Sequence, residues 1–126
     1  MSRTILVVDD EIELRELLAL LLQRAGYTVQ LAGHGNEAMA ILEHQRPDLI
    51  ISDIRMPVCD GYQLTKNLAK RVGPAIPILF MSGFMGDSDT ELRVYPGFAG
   101  FVSKPVRSRD LMNLVNSILE VRSNGS

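Results

Sequence analysis

Four apolar segments of this 126-residue chain end on polar side chains with complementary chemistry. These side chains are Asp9 and Asp10, Asp53, Ser82 and Lys104. Carboxylates crowded together repel one another and favour a bound cation, and all-oxygen ligands suit Mg2+ or a similar hard ion such as Mn2+. A nucleophilic carboxylate, a metal, a hydroxyl and an ammonium together fit phosphoryl transfer to Asp53, which would form an aspartyl phosphate.

Each of these residues also has a simpler interpretation. Asp9 and Asp10 could cap the first helix. Ser82 could be an ordinary loop serine, and Lys104 a solvated surface lysine. Taken singly, Ser82 and Lys104 fit the simpler interpretation better. Taken together, the simpler interpretations would have to explain why four strand ends carry such side chains at one edge of the sheet. A single shared site is therefore favoured.

A shared site requires these segments to be parallel strands, and the apolar pattern predicts them. Leu49–Ile51 is a continuous apolar run, typical of a central strand buried on both faces. Asp53 then lies at the carboxyl end of that strand, where open α/β sheets bind their ligands. Similar apolar segments predict strands at Thr4–Val8, Ile78–Met81 and Phe98–Ser103.

The segments between these strands predict an edge strand and the helices that cover the sheet. Thr28–Ala32 alternates polar and apolar residues, which indicates an edge strand. Asp60 is a candidate N-cap of the third helix, and Pro96 keeps the fourth helix short. The predicted apolar stripe of the first helix consists of Leu14, Leu17, Leu18, Leu21, Leu22 and Ala25. Five strands alternating with five helices predict a single doubly wound parallel sheet with helices on both faces.

Composition limits the class of protein. The formal net charge of −2 gives no general attraction to nucleic acid, and no apolar run reaches the length of a membrane span. The single cysteine, Cys59, excludes an internal disulfide, and the N-terminus has no signal-peptide pattern. These features predict a cytoplasmic location without binding to nucleic acid or membrane. We assign residues 1–122 to one domain and residues 123–126 to a disordered tail or the start of a linker.

The motifs of the chain point to a known family. Over about Thr4 to Val121, the chain resembles the receiver domain of two-component response regulators. The matching motifs are Val7-Val8-Asp9-Asp10-Glu11, Asp53-Ile54-Arg55-Met56-Pro57 with Gly61, Met81-Ser82-Gly83 and Phe101-Val102-Ser103-Lys104-Pro105. The resemblance implies a flavodoxin-like (α/β)5 sheet in the order 2-1-3-4-5, and a cis bond between Lys104 and Pro105.

The resemblance also implies roles for the acidic residues. Asp53 is expected to be the phosphoacceptor, which receives its phosphoryl group from a histidine kinase or a phosphotransfer protein. Asp10 and Asp53 are expected to bind Mg2+ or Mn2+ directly, together with the backbone carbonyl of Arg55. Asp9 is expected to act mainly through a metal-bound water.

The remaining expected roles concern switching and the lifetime of the phosphate. Ser82 is expected to be the hydroxyl that moves to the phosphoryl group, with Lys104 as its ion-pair partner. Phe101 occupies the switch-aromatic position, where the family often has tyrosine. Arg55 and Phe84 occupy positions that tune dephosphorylation, and we expect them to shield the acyl phosphate, although Arg55 could instead contact the phosphoryl group. The helix 4–strand 5–helix 5 face is the expected binding surface for a downstream protein or a fused domain.

These expectations describe a phosphorylation-dependent signalling switch of a two-component phosphorelay. Such a phosphoprotein catalyses its own phosphorylation and its own slow dephosphorylation, but it turns over no separate substrate. The sequence is compatible with a stand-alone protein and with one domain of a hybrid kinase or longer regulator. A receiver that acts only through protein contacts is an alternative, which the intact set of acidic, serine and lysine residues disfavours.

Two enzyme-like alternatives are weaker. Gly33–Ala38 matches the G-x-G-x-x-A dinucleotide motif, but the preceding strand alternates and the first strand-to-helix turn is acidic. A phosphatase or mutase with an aspartyl nucleophile would need a second aspartate at the position of Arg55.

His34 and His44 have no partner at ligand spacing, which predicts surface histidines rather than metal ligands.

Overall fold

Five parallel strands form one sheet in the order β2-β1-β3-β4-β5. The computed structural model describes residues 3–56, 59–71, 73–83 and 90–124. The strands are β1 (Thr4–Val8), β2 (Thr28–Ala32), β3 (Leu49–Asp53), β4 (Ile78–Ser82) and β5 (Phe98–Ser103). The helices are α1 (Ile12–Arg24), α2 (Gly35–Leu42), α3 (Gly61–Ala69), α4 (Thr90–Arg93) and α5 (Ser108–Asn124). The predicted doubly wound, flavodoxin-like sheet and the edge position of β2 are therefore confirmed.

The sheet separates two hydrophobic cores, because successive side chains of a strand point to opposite faces. On the face covered by α2, α3 and α4, the core includes Leu6, Ala38, Ile50, Leu64, Phe80 and Leu92. On the face covered by α1 and α5, it includes Val7, Leu18, Ile51, Leu79, Leu111 and Val115. Every residue of β3 and β4 is buried, whereas β2 has one buried residue. Burial on both faces explains why β3 is a continuous apolar run and β2 alternates.

The apolar stripe of α1 is narrower than the sequence predicts. Leu18 and Leu22 are buried, but Leu17 is 50% exposed and Ala25 is exposed as well. Ala19, which the prediction left out, is buried instead. A helix on a sheet buries only one side, so a leucine at helical spacing can still lie beyond the edge of the contact.

Strands β4 and β5 pair with one irregularity. Ile78 pairs with Phe98, but the next residue, Leu79, pairs with Gly100, so that Ala99 is an extra residue in β5. Gly100 has φ +135°, a conformation that residues with a Cβ rarely adopt. The extra residue is therefore accommodated by the glycine that follows it.

The irregularity brings three phenylalanine rings together on one face. The ring centroids of Phe98 and Phe101 lie 5.1 Å apart, and that of the buried Phe80 lies 6.3 Å and 6.1 Å from them. In a regular strand, residues three positions apart point to opposite faces. The extra residue is the reason that Phe98 and Phe101 both pack against the core under α2, α3 and α4.

The C-terminal boundary differs slightly from the prediction. Helix α5 continues through Asn124, two residues into the segment 123–126 that the sequence assigns to a tail. The domain limits 1–122 otherwise stay a prediction. Pro57 and Phe84 lie outside the described residues. Within the part of the chain that the structure describes, none of the helices has both the length and the apolar character needed to cross a bilayer.

Candidate functional site

The carboxyl ends of β1, β3, β4 and β5 meet at one edge of the sheet, and Lys104 is at the centre of the polar groups there. Its Nζ lies 2.9 Å from Oδ2 of Asp53, to which it donates a hydrogen bond. The same ammonium lies 3.4 Å from Oδ2 of Asp9 and 3.5 Å from Oε1 of Glu11. One lysine therefore faces three carboxylates from two different strand ends.

Asp9, Asp10 and Asp53 form an acidic cluster. Each offers a carboxylate oxygen, and these oxygens all lie within 4.8 Å of one another. Asp9 and Asp53 are buried and Asp10 is exposed. Close carboxylates with access to solvent are a suitable donor set for Mg2+, which keeps several waters when it binds to proteins. The three acidic residues predicted to share a site are thus brought together.

Asp9 is the member of the acidic cluster that most needs a cation. Its Oδ1 accepts a hydrogen bond from the backbone N–H of Glu11 at 2.8 Å. Its Oδ2 is buried and has no hydrogen-bond partner among the described residues. Burial raises the pKa of Asp9, the charge of Asp53 raises it further, and the Glu11 N–H and the Lys104 charge lower it without cancelling the rise. A buried, poorly compensated carboxylate fits a metal ligand or second-sphere acceptor.

Pairing between β4 and β5 positions Lys104. Ser82 pairs with Ser103, and the backbone N–H of Lys104 donates to the carbonyl of Ser82 at 2.9 Å. The Lys104–Pro105 bond is cis, as the resemblance implies. Burial lowers the pKa of Lys104, but the hydrogen bond to Asp53 and the negative charges nearby outweigh it and raise the pKa overall. The ammonium is therefore a permanent positive charge in the site.

Local packing places Asp53 at the end of β3. The hydroxyl of the buried Ser52 donates to the carbonyl of Asp53 at 2.8 Å, and Asp53 pairs with Met81 on β4. The N–H of Gly61 donates to the carbonyl of Ile54 at 2.7 Å, and a Cβ at Gly61 would lie 3.0 Å from the Cα of Ile54. The glycine of the motif thus lets α3 begin directly against the segment that follows Asp53.

The other predicted site residues lie around this edge. Ser82 is buried at the end of β4, one position beyond the pair of Asp53 and Met81. Arg55 is exposed and follows β3 by two residues. Phe101 is half-buried, and the guanidinium carbon of Arg93 lies 5.1 Å from its ring centroid. The hydroxyl, ligand and tuning roles of these residues stay predictions, and Phe84 cannot be placed because it lies outside the described residues.

Glu11 is a site residue that the sequence reasoning missed. Its carboxylate reaches Lys104 and its backbone N–H binds Asp9. The sequence places Glu11 in the Val7–Glu11 motif without predicting a role for it, although its position directly after Asp9 and Asp10 was the available signal. Asp60, by contrast, was predicted as an N-cap and accepts the N–H of Gln63 at 3.0 Å.

The glycine motif before α2 has a packing role. A Cβ at Gly35 would overlap the backbone and thiol of Cys59, and the Gly35 N–H donates to the Cys59 carbonyl at 3.1 Å. Nδ1 of His34 accepts the N–H of Glu37 at 3.2 Å and caps the helix, a role that the surface-histidine prediction missed. Donors that a pyrophosphate would need at this helix N-terminus are therefore used within the protein.

The sequence model described as the response regulator receiver domain matches residues 5–116. The chain belongs to this family. The receiver domain is 41% identical to the response regulator GtcR of Aneurinibacillus migulanus over 105 residues, covering 83% of this chain and 43% of the relative. It is 35% identical over 119 residues to the alkaline phosphatase synthesis transcriptional regulatory protein PhoP of Bacillus subtilis, covering 94% of this chain and 49% of that protein.

A further relative matches over most of both chains. The receiver domain is 34% identical over 114 residues to an uncharacterised 14.6 kDa protein of Leptolyngbya boryana, covering 88% of this chain and 86% of the relative. The chain thus spans most of that protein but less than half of GtcR and PhoP.

Solved structures show the same fold. The chemotaxis response regulator CheY4 of Vibrio cholerae superposes with a TM-score of 0.84 at 30% identity, covering 94% of this chain and 99% of that chain. A CheY-like receiver domain protein of Methanospirillum hungatei superposes with a TM-score of 0.90 over 100% of both chains, and at 24% identity this likeness concerns the fold.

Proposed function

We propose that this receiver domain is a phosphorylation-dependent switch in which Asp53 accepts a phosphoryl group from the phosphohistidine of a histidine kinase or phosphotransfer protein. The observation that supports this most directly is the 2.9 Å contact between Lys104 Nζ and Asp53 Oδ2 beside the acidic cluster. The contact joins the Asp53 carboxylate, the Lys104 ammonium and the acidic cluster in one small region, which is the set of groups that phosphoryl transfer to an aspartate would use.

Transfer of the phosphoryl group to Asp53 is a substitution at phosphorus. An oxygen of Asp53 forms a bond to phosphorus while the bond from phosphorus to the donor imidazole nitrogen breaks. The electron pair of the broken bond stays on that nitrogen, which takes a proton from solvent. The acyl phosphate adds negative charge beside Asp9. Lys104, whose pKa is raised, keeps its proton and neutralises part of that charge.

The residues of the acidic cluster fit a divalent cation. Asp10 and Asp53 would hold Mg2+ or Mn2+ directly, with the backbone carbonyl of Arg55 as a further ligand and Asp9 acting through a bound water. The buried Oδ2 of Asp9, which has the Lys104 ammonium at 3.4 Å but no hydrogen bond among the described residues, supports this assignment. When bound, Mg2+ would neutralise charge on the oxygens of the transferring group.

The output of the switch would pass through Ser82, Phe101 and the α4–β5–α5 face. The Ser82 hydroxyl would donate to the phosphoryl group, and Phe101, which has no hydroxyl, would respond by packing alone. On this face, the rings of Phe98 and Phe101 are half-buried beneath the guanidinium of Arg93, which suits a downstream protein or a fused domain. Arg55 and Phe84 would tune the lifetime of the phosphate.

This function is a signalling role in the cytoplasm without turnover of a separate substrate. Response regulator receiver domains interact with histidine kinases and downstream effectors. Because GtcR and PhoP are more than twice as long as the matched region, the receiver domain is compatible with both a stand-alone role and a place in a longer regulator.

Intact-mass measurement after incubation with acetyl phosphate and Mg2+ tests the proposal. We expect one phosphoryl adduct on the wild type, none on Asp53→Asn and an unchanged adduct on Asp110→Asn, which removes an exposed carboxylate of α5. Chelation of Mg2+ should abolish the adduct. A folded wild type that gains no adduct, or an Asp53→Asn variant that gains it fully, would contradict the proposal and favour a receiver that acts by contact alone.

A further inference from the structure

A pocket lies at the amino edge of the sheet, opposite the acidic cluster. Its volume is about 180 Å³, and its lining includes Arg46, Leu68, Arg71, Ala75, Ile76 and Tyr95. Arg46 precedes β3, Ala75 and Ile76 precede β4, and Arg71 follows α3. Because strands begin where the returning helices end, all of these residues meet far from the acidic cluster.

The pocket is basic at its rim. Arg46 and Arg71 both line it, and none of its lining residues, all of which the structure describes, is acidic. Burial raises the pKa of Tyr95, while its hydrogen bond to Ile76 and the charges of Arg46 and Arg71 lower it. Both guanidinium groups are therefore close enough to act on the same buried ring.

The walls of the pocket are fixed by hydrogen bonds within the protein. The hydroxyl of Tyr95 donates to the carbonyl of Ile76 at 2.8 Å, which pins the ring to the chain before β4. Nη2 of Arg46 donates to the carbonyl of Pro74, which holds this guanidinium at the rim. A Cβ at Gly97 would overlap the carbonyl of Ile76 and the Tyr95 ring, so the backbone closes tightly behind the pocket.

We propose that this pocket binds a small organic anion, namely a carboxylate or phosphate attached to a compact apolar group. Guanidinium groups match the planar oxygens of such anions and bind them with charge-assisted hydrogen bonds. Leu68, Ala75 and Ile76 provide an apolar floor for the rest of the ligand. The volume suits a ligand smaller than an ordinary drug molecule.

Titration of the 15N-labelled full chain with benzoate tests this inference by the shifts of its amide resonances. We expect saturable shifts at the amides of Leu68, Ala75 and Tyr95, and none with benzamide, which has a similar shape but no charge. The readout needs neither metal nor phosphorylation, so its failure would leave the proposed function of Asp53 untouched.

Variants separate a built site from general attraction of anions. Arg46→Gln and Arg71→Gln should each weaken benzoate binding at least about tenfold, whereas Arg109→Gln on α5 should leave it unchanged. Ala69→Phe should abolish binding while keeping both arginines, because Ala69 lines the pocket and the larger side chain would fill it. If Arg46→Gln does not fold, Arg71→Gln and Ala69→Phe carry the test.

Two results would overturn the inference. One is equal binding of benzoate by the wild type and Arg71→Gln. The other is the absence of a saturable shift at the pocket amides of a folded wild type, including the case where benzoate shifts only amides scattered over the surface.

Discussion

The sites at the two edges of the sheet are lined by groups of opposite charge and are built differently. At the carboxyl edge, the acidic cluster and Glu11 surround a single ammonium, that of Lys104. At the amino edge, Arg46 and Arg71 line a pocket without an acidic lining residue. The first edge therefore favours a cation and the second an anion, although the same sheet supports both.

Both edges combine closely packed and open glycine positions. At the carboxyl edge, Gly35 and Gly61 let backbone segments approach within van der Waals contact, whereas Gly83 has nothing within 4 Å of the position of a Cβ. At the amino edge, Gly97 lies against the carbonyl of Ile76, whereas Gly73 has nothing within 4 Å of the position of a Cβ. The edges differ instead in what holds their charged groups, namely strand ends at the first and connecting segments at the second.

Removing the ammonium should have the largest effect on the carboxyl edge. Lys104→Met leaves Asp53 and Asp9 without their buried counter-charge, so we expect phosphorylation by acetyl phosphate to slow about 100-fold. Mg2+ should bind more tightly, because a competing positive charge is lost. Initial rates from intact mass and calorimetric Mg2+ titration measure both effects. Lys66→Met, on an exposed position of α3, is the matched control.

Two results for Lys104→Met would contradict the role given to the ammonium at the carboxyl edge. An unchanged rate for Lys104→Met would mean that the ammonium does not act on the transferring group. Weaker Mg2+ binding would mean that the lysine organises the acidic cluster rather than opposing a cation.

Glycine substitutions compare a closely packed position at the carboxyl edge with an open position at the amino edge. Gly35→Ala places a Cβ against the backbone and thiol of Cys59, so it should lower the free energy of unfolding by about 2 to 3 kcal/mol. Gly73→Ala meets no atoms, but Gly73 has φ +103°, so it should cost only about 1 kcal/mol. Urea unfolding measures both, and a larger cost at Gly73 would reverse the contrast.

Asp9→Asn should separate stability from metal binding. Because burial raises the pKa of Asp9, its ionisation costs stability as the pH rises above the ordinary carboxyl value of about 4. The metal-free variant should therefore be more stable at pH 7, by about 1 kcal/mol, and should gain less stability from added Mg2+.

Urea unfolding of the Asp9→Asn variant with and without Mg2+ provides the measurement. Asp110→Asn, an exposed position on α5, should change neither quantity. A metal-free Asp9→Asn variant that is less stable than the wild type would show that the carboxylate is well compensated by Lys104 alone.

The smallest expected effect concerns Cys59, also at the carboxyl edge. Burial raises the pKa of its thiol, and the charge of Asp60 adds to the rise, so the neutral form is favoured in the folded state. Stability from this group is present below the unfolded-state pKa of about 8.5 and is lost as the pH rises through it, by at most about 1.4 kcal/mol per pH unit.

The free energies of unfolding of the wild type and Cys59→Ala, measured in urea between pH 7 and pH 10, isolate the contribution of the thiol. The contributions of the other titrating groups are shared by the two proteins and cancel in the difference. The wild type should lose more stability than the variant over this range. An identical pH profile for the two proteins would contradict the assigned cause of the shift.

The carboxyl edge was largely predictable from sequence. Apolar runs such as Leu49–Ile51 indicate where strands end, and residues at the carboxyl ends of parallel strands must share an edge of the sheet. The sequence therefore predicts that Asp53 and Lys104 belong to one site, and the structure places them in contact. The edge position of β2 followed from the alternation of its residues. Local sequence sufficed because the strand itself positions the site.

The amino edge could not be predicted in this way. Arg46 and Arg71 lie in connecting segments, and only the packing of α3, α4 and the chain before β4 places them around one pocket. The exposure of Leu17 has the same origin, since it depends on neighbours distant in sequence. The cap by His34 is local and depends on the direction of its side chain. The apolar periodicity of a helix shows which residues share one side of it, but not how many of them the neighbouring elements cover.

The extra residue in β5 gives this strand a tolerance to a change in its length. Ala99 is half-buried and pairs with no residue of β4, so exchanging its side chain would leave the pairing intact. Deleting Ala99 would place Phe98 and Phe101 two positions apart in a regular strand, where both rings would still point to the face of Phe80. During evolution, this strand is therefore expected to accept both substitution and loss of Ala99.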